Sequence, residues 1–249
     1  MPPVRLLVSV RDLGEARLAI ATGVDLVDLK DPADGALGGL PPARIAALVA
    51  ALRDAGVAVP VSATIGDVPA SDRDEVLRRV ARVAACGVDY VKVGVTGGPA
   101  GRALVRALAA ACPSTAPRAG GPALVPVLLA DDGIDAPVLD EVLGSRSFAG
   151  VMLDTARKGA GSLLDRVPAR ELAAFVRAVR ASGRLCGIAG SLRAADLPRL
   201  LALQPDFAGF RGAACAGARD GPLDAVALRG LRAGLAADPQ AGRRAANPA

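Results

Sequence analysis

The chain has 249 residues, 52% of them hydrophobic and 22% charged, which is enough to bury one large core. It contains no histidine, which excludes Ser-His-Asp and Cys-His catalysis and any histidine-liganded metal site. The net charge of +5 does not indicate a nucleic-acid partner, because the arginines are interleaved with acidic residues and only 2% of the residues are aromatic.

Eight short apolar runs, each followed by a segment of helical period, succeed one another along the chain. The predicted strands are Leu6–Val10, Leu26–Lys30, Val59–Ile65, Tyr90–Val95, Leu124–Leu129, Gly150–Thr155, Leu185–Ala189 and Phe207–Arg211. The amphipathic segments between them include residues 41–56, 71–87, 98–113, 168–183 and 193–205. Several of these end at a glycine, which is typical of a helix terminus.

Strands that alternate with helices require a parallel sheet with right-handed crossovers. Eight such units predict a single (β/α)8 TIM barrel over residues 1–237, with a loop at 113–122 and a disordered tail at 238–249. A doubly wound open sheet is the alternative. It is less favoured because the first strand–helix turn lacks a G-x-G-x-x-G motif and eight units would be many for such a sheet.

Lysine is rare in this chain, since only three of the 30 basic residues are lysine. Lys30 and Lys92 each close a strand-like run, and Lys158 follows a third. Arginine keeps its proton near neutral pH, whereas a desolvated lysine can become a neutral amine that forms an imine with a carbonyl substrate. The positions therefore favour amine chemistry, and the alternative is three surface lysines left by chance.

Side-chain alternation along the strands predicts where these groups point. Asp28 and Lys30 share one face of the second strand, and Lys92 lies on the inward face of the fourth. Asp154 ends the sixth strand, with Lys158 in the loop that follows. All five should converge on the C-terminal mouth, where repulsion among three ammonium groups should lower at least one pKa. The alternative is a buried ion pair that only fills space.

A phosphate site is predicted beside them. Gly190 and Ser191 follow the seventh strand, and Arg211 and Gly212 end the eighth, the two places where this fold often binds phosphate. Glycines expose backbone N–H groups and arginine can bind a dianion. The alternative is a pair of tight turns with a surface arginine. The long, glycine-rich loop after Lys30 is expected to act as a lid or to contact substrate.

The remaining sequence features bear on which cofactors the protein uses and on its cellular compartment. Cys86, Cys112, Cys186 and Cys215 show no C-x-x-C pairing, so we expect reduced, buried cysteines. No ligand set for a metal is evident, and an imine is itself an electron sink, so we predict no metal and no cofactor. No apolar run reaches the roughly 20 residues of a membrane helix, so we expect a cytoplasmic protein without a membrane partner.

Several segments together resemble the (5-formylfuran-3-yl)methyl phosphate synthase family. They are LVSVRDLGEARLAIATGVDLVDLKDPADGALGG, VDYVKVG, GVMLDTARKGAGSLLD, CGIAGSL and FRGAAC, within residues 4–235. The resemblance implies a TIM-barrel lyase of methanofuran biosynthesis that condenses two glyceraldehyde 3-phosphate molecules, with loss of one phosphate and two waters. It further implies that Lys30 forms the imine. Asp28, Lys92, Asp154 and Lys158 would serve as acid–base and phosphate-handling groups.

The chemistry also follows from the residue types. An imine acidifies the adjacent C–H, so a nearby carboxylate or amine can generate an enamine that attacks a second aldehyde, and elimination of phosphate and water then gives an aromatic ring. Another class I aldolase or transaldolase is the nearest alternative, but it would release no inorganic phosphate. A non-catalytic barrel that binds phosphometabolites is a second alternative. An orotidine-monophosphate-type decarboxylase is disfavoured because its D-x-K-x-x-D array would need an acid where this chain has Ala33. We also expect a homo-oligomer, of a size that the sequence does not fix.

Overall fold

The computed structural model describes residues 2–111 and 121–236. The strands are β1 Arg5–Val10, β2 Leu26–Leu29, β3 Val61–Thr64, β4 Tyr90–Val95, β5 Ala123–Leu129, β6 Gly150–Asp154, β7 Leu185–Ile188 and β8 Phe207–Phe210. The helices are α1 Leu13–Ala21, α2 Pro42–Asp54, α3 Arg73–Ala84, α4 Gly98–Ala111, α5 Ala136–Gly144, α6 Leu163–Arg166, α7 Ala169–Ala181, α8 Leu197–Leu203 and α9 Ala225–Ala236. Short 3₁₀ turns cover Ala194–Asp196 and Gly212–Ala214.

The eight strands form a closed barrel in sequential order, with every neighbouring pair parallel and β8 paired to β1. The predicted TIM barrel is therefore confirmed. None of the helices in the described parts of the chain has the length and apolarity to cross a bilayer. The predicted tail at 238–249 and nearly all of the predicted loop at 113–122 lie outside the described residues.

The predicted strands match the observed ones, but several ends differ. The third strand begins at Val61 and not at Val59, because Pro60 has no N–H to donate to a neighbouring strand and contributes only its carbonyl, which accepts from Val27. Five residues were expected as last strand residues and each lies one position beyond its strand: Lys30, Ile65, Thr155, Ala189 and Arg211. These five residues therefore belong to the loops at the C-terminal mouth.

Two apolar layers fix the strands. The outer layer packs alternate strand residues such as Val27, Val91 and Leu153 against the helices. The inner layer fills the barrel with Leu7, Leu26, Val125, Val127, Met152, Ala189 and Phe207. Gly187 is required there, since a Cβ atom would lie 2.3 Å from the Phe207 ring. This plug of apolar side chains fills the inside of the barrel below the mouth.

Three of the helices begin at aspartate side-chain caps. Asp12, Asp72 and Asp135 each precede a helix and accept a hydrogen bond from the backbone N–H three residues later. Such a cap satisfies one of the N–H groups that the first turn of a helix leaves without a partner. The caps thereby fix where α1, α3 and α5 start after the preceding strands.

Candidate active site

A cavity of about 480 Å³ opens at the C-terminal mouth of the barrel. All nine candidate site residues from the sequence line this cavity, namely Asp28, Lys30, Lys92, Asp154, Lys158, Gly190, Ser191, Arg211 and Gly212. The fold thus brings the predicted catalytic group and the predicted phosphate group to one opening. Their individual contacts differ sharply.

Asp28 and Lys92 form the first buried ion pair. Lys92 Nζ lies 2.8 Å from Asp28 Oδ2, and the side chains are 5% and 1% exposed. Ser9 and Ser62 also donate to the carboxylate of Asp28, at 3.0 and 2.7 Å. The strand register places these three residues side by side on β1, β2 and β3. Three donors therefore hold the carboxylate of Asp28 in place. Ser9 and Ser62 were not identified from the sequence, although strand alternation places both on the inner face of the barrel.

Asp154 and Lys158 form the second pair. Lys158 Nζ donates to Asp154 Oδ1 at 2.6 Å, and the Thr155 N–H donates to the same oxygen at 2.7 Å. Burial acts to raise the pKa of Asp154, but the ammonium groups of Lys158 and Lys30 and these hydrogen bonds outweigh it and lower the pKa. Asp131 anchors the Lys158 loop, because its carboxylate accepts from the N–H groups of residues 156 and 157 at 2.5 and 2.9 Å.

Lys30 differs from the other two lysines. It is 5% exposed, and within the described parts of the chain its side chain makes no hydrogen bond and no ion pair. Its pKa is lowered from 10.5 to about 8, chiefly by burial. Asp154 opposes this shift, and repulsion from Lys158 and Lys92 adds to it. The sequence indicated repulsion as the cause, but exclusion of solvent is the larger one. A neutral amine is therefore accessible near neutral pH.

The predicted phosphate half of the mouth is built from loop backbone. Gly190 has φ +99°, and a Cβ there would lie 3.0 Å from Leu163 Cβ, so only glycine fits. Ser191 adopts φ +50°, which is uncommon for a residue other than glycine. Across the described residues, no hydrogen-bond acceptor meets the N–H groups of four lining residues, namely Ser191, Leu192, Gly212 and Ala213. These groups can receive an anion.

Arg211 has a different environment from the one expected. Its guanidinium binds Glu15 through two hydrogen bonds of 2.6 and 3.0 Å. The other three N–H groups donate to the carbonyls of Ser9, Arg219 and Gly221, at 3.1, 3.0 and 2.7 Å. A phosphate could bind this side chain only by displacing Glu15 or a carbonyl. The geometry favours a structural tie between β1 and the loop after β8, and a direct phosphate contact stays a prediction.

The loop after Lys30 packs onto the mouth. Leu37 is 1% exposed and joins the apolar cluster inside the barrel, where a Cβ at Gly94 would lie 2.8 Å from its Cδ1. Asp67 accepts from the backbone N–H groups of Ala36 and Leu37 at 2.7 and 3.2 Å. Thr64 donates its hydroxyl to the Gly38 carbonyl at 2.9 Å. These contacts hold the loop against the end of the barrel, but none of residues 31–40 lines the cavity, so contact of the loop with substrate stays a prediction.

Among the described residues, the cavity is lined by neither a metal-binding cluster nor a cysteine thiol. The described segments hold no cluster of three or more Cys, Asp and Glu side chains that could bind a metal ion. Cys86, Cys186 and Cys215 are buried and free of disulfides, and burial raises the pKa of Cys186 to about 12. Cys112 lies outside the described residues. The ionisable groups of the cavity are therefore amines, guanidinium groups and carboxylates.

Comparison with known proteins points to one family. The sequence profile described as 4-HFC-P synthase matches residues 6–232. A protein of Methylorubrum extorquens, provisionally named a (5-formylfuran-3-yl)methyl phosphate synthase, is 40% identical over 241 residues and 94% of each chain. The (5-formylfuran-3-yl)methyl phosphate synthase of Methanocaldococcus jannaschii is 34% identical over 248 residues, which cover 91% of this chain and 97% of that protein.

Solved structures share the fold at lower identity. Phosphoribosyl anthranilate isomerase from Thermus thermophilus aligns with a TM-score of 0.63 and 20% identity, over 94% of this chain and 98% of that chain. KGPDC from Streptococcus mutans in complex with D-R5P aligns with a TM-score of 0.59 and 16% identity, over 93% and 97% of the two chains. These similarities concern the barrel alone.

Proposed function

This chain belongs to the 4-HFC-P synthase family, and we propose that it condenses two glyceraldehyde 3-phosphate molecules into (5-formylfuran-3-yl)methyl phosphate. The two three-carbon aldehydes supply the six carbons of the product, and one phosphate and two waters leave. The reaction is a phosphate-eliminating lyase reaction of methanofuran-type cofactor biosynthesis. The relatives named after this product support the proposal.

The main observation in support of this mechanism is the buried amine of Lys30. Its lowered pKa, about 8, makes part of the population neutral near neutral pH. The neutral amine attacks the aldehyde carbon of one triose, and loss of water gives an imine. The site has no ion pair to break before this attack, because Lys30 is the lysine without a carboxylate partner in the described chain.

The two ion pairs handle charge and protons after the imine has formed. Asp154 is the carboxylate that most strongly favours a positive charge on Lys30, so it stabilises the protonated imine. A protonated imine withdraws electrons and acidifies the neighbouring C–H. Asp28, Lys92 and Lys158 lie around the same cavity and can move protons during carbon–carbon bond formation and elimination. Formation of the aromatic ring drives the final loss of water.

Substrate phosphates require several donors. The loops after β7 and β8 supply the unpartnered N–H groups of Ser191, Leu192, Gly212 and Ala213 at one side of the cavity. Backbone N–H groups in such loops bind phosphate without a charged side chain. Lys92 and Lys158 line the same cavity and contribute positive charge. This arrangement suits a reaction in which one phosphate is retained and another leaves.

One incubation separates this function from its alternatives. With glyceraldehyde 3-phosphate alone, the enzyme should generate furan absorbance and one inorganic phosphate per product. Borohydride added during turnover should reduce the imine and add mass at Lys30, as read by peptide mass spectrometry. Lys30→Arg is the matched control, because it keeps the charge but cannot form the imine. Condensation without phosphate release would favour another class I aldolase, and the absence of product and label would favour a binding protein.

A further inference from the structure

The charges that line the cavity are unequally neutralised. Four of its six basic side chains have a carboxylate within hydrogen-bond distance. These are Lys92 with Asp28 at 2.8 Å, Lys158 with Asp154 at 2.6 Å, Arg193 with Asp165 at 2.6 Å and Arg211 with Glu15 at 2.6 Å. Over residues 2–111 and 121–236, the other two, Lys30 and Arg219, have none. Lys30 can lose its charge, whereas a guanidinium keeps it. Arg219 therefore supplies the permanent positive charge of the cavity to which no carboxylate of the described residues binds directly.

Arg219 lies in the loop that follows the turn Gly212–Ala214. Its Nη1 donates to the Pro32 carbonyl at 2.6 Å and its Nη2 to the Gly35 carbonyl at 3.1 Å. The side chain thus reaches from the β8 side of the mouth to the loop directly after Lys30. These contacts use two of its five N–H groups, and three remain for a ligand.

The guanidinium of Arg219 is also partly shielded from water. Burial lowers the pKa of Arg219 from its usual value, while the charge of Asp154 opposes that shift. A desolvated cation without a counter-charge is costly, and a phosphate dianion that binds it removes much of that cost. Arg211 offers no comparable opportunity, since all five of its N–H groups have acceptors.

We infer that Arg219, and not Arg211, is the guanidinium that binds a substrate phosphate, with the unpartnered N–H groups of Gly212 and Ala213 beside it. This inference rests on the proposed function for the identity of the phosphate as that of a triose phosphate. Because Arg219 also holds the carbonyls of Pro32 and Gly35, a phosphate on Arg219 ties the loop after β8 to the loop after Lys30.

The contrasting explanation is that Arg219 only holds the two loops together. Two aldehydes distinguish these roles, because glyceraldehyde lacks the phosphate but can form the same imine. The measurement is the aldehyde concentration that gives half-maximal borohydride labelling of Lys30. Arg219→Gln should raise this concentration about 10- to 100-fold for glyceraldehyde 3-phosphate, as expected for one charged hydrogen-bonding group, and leave it unchanged for glyceraldehyde. An equal rise for both aldehydes would overturn the inference.

Arg11→Gln is the matched control for loop anchoring. Arg11 donates to the carbonyl of Asp220 at 2.5 Å, so it holds the same loop one residue away but does not line the cavity. It should leave the ratio between the two aldehydes unchanged. Should Arg219→Gln fail to fold by circular dichroism, Arg219→Lys provides the test. It keeps the charge with fewer donors and should raise the glyceraldehyde 3-phosphate concentration several-fold, again without an effect on glyceraldehyde.

Inorganic phosphate separates failure of this inference from failure of the proposed function. Phosphate alone should raise the melting temperature of the wild-type protein, and Arg219→Gln should reduce that rise. If the wild type makes no furan but this difference is observed, the phosphate site stands and the proposed reaction is wrong. If the wild type makes the furan and Arg219→Gln changes neither the aldehyde ratio nor the phosphate effect, the proposed reaction stands and Arg219 is not the phosphate ligand.

Discussion

The two ends of the barrel use aspartates for opposite purposes. At the N-terminal end, Asp25, Asp89 and Asp206 each precede a strand and accept from an N–H group at the start of the neighbouring strand, at 2.8, 2.8 and 2.7 Å. Asp25 and Asp89 also bind Arg232 and Arg53. At the mouth, Asp28 and Asp154 bind lysines around a third amine that has no partner in the described chain. These contacts stabilise the N-terminal end, whereas the proposed reactivity of the mouth depends on Lys30 having no such partner among the described residues.

Replacement of Lys30 should give the largest effect, because it should abolish most of the activity and at the same time increase the stability of the fold. Lys30→Met should reduce turnover at least about 10⁴-fold, since the group that forms the imine is lost. The same change should stabilise the fold by about 3 kcal/mol at pH 7. The reason is that the pKa of Lys30 is about 8 in the folded protein and 10.5 in the unfolded chain, so protonated Lys30 lowers the free energy of unfolding. This destabilisation by Lys30 is largest below about pH 8 and disappears as the pH rises to about 10.5. Urea denaturation at pH 7 and product formation test both effects.

A loss of stability in Lys30→Met at pH 7 would contradict the unpaired, desolvated amine. Repeating the urea denaturation at pH 10.5 provides the control. At that pH the difference between the two proteins should be small, because the wild-type Lys30 is neutral when folded and half-neutral when unfolded.

A pair of matched aspartate variants compares the two ends directly. Asp28→Asn leaves the buried ammonium of Lys92 uncompensated, so it should cost about 3–5 kcal/mol of stability and lower activity about 100-fold. Asp89→Asn at the opposite end weakens the contacts with Arg53 and the Val61 N–H, at 2.5 and 2.8 Å, and should cost about 1–2 kcal/mol. Its turnover number should equal that of the wild type. A similar loss of activity in both variants would mean that stability alone explains the first.

The smallest of the expected effects is the change in imine formation for each pH unit. The neutral fraction of Lys30 should fall about tenfold per pH unit below pH 8 and level off above it. Cyanoborohydride trapping of the imine, followed by mass spectrometry from pH 6 to pH 10, measures this profile. Nα-acetyl-lysine is the reference compound, and its rate should keep rising until about pH 10.5. A protein profile that coincided with this reference would refute the lowered pKa of Lys30.

The sequence predicted the inward side chains well and the loop contacts poorly. Asp28, Lys30, Lys92 and Asp154 lie where strand alternation and parallel pairing put them, since both rules are local. Arg211 follows the eighth strand as expected, but its partner Glu15 is 196 positions away in the sequence. The sequence did not indicate the position of Arg219 in the cavity. Its acceptors are backbone carbonyls 184 and 187 positions away, and a backbone carbonyl is present at every residue.

The amino-acid sequence by itself determined the eight-fold strand–helix repeat, the closed parallel barrel and the convergence of the three lysines on its mouth, because period-two alternation and right-handed crossovers act over short stretches of chain. Only the tertiary structure decided which of the charged groups are compensated. Desolvation and ion pairing depend on residues from distant strands. Burial lowers the pKa of Lys30, Glu15 binds Arg211, and Arg219 has no carboxylate partner among the described residues.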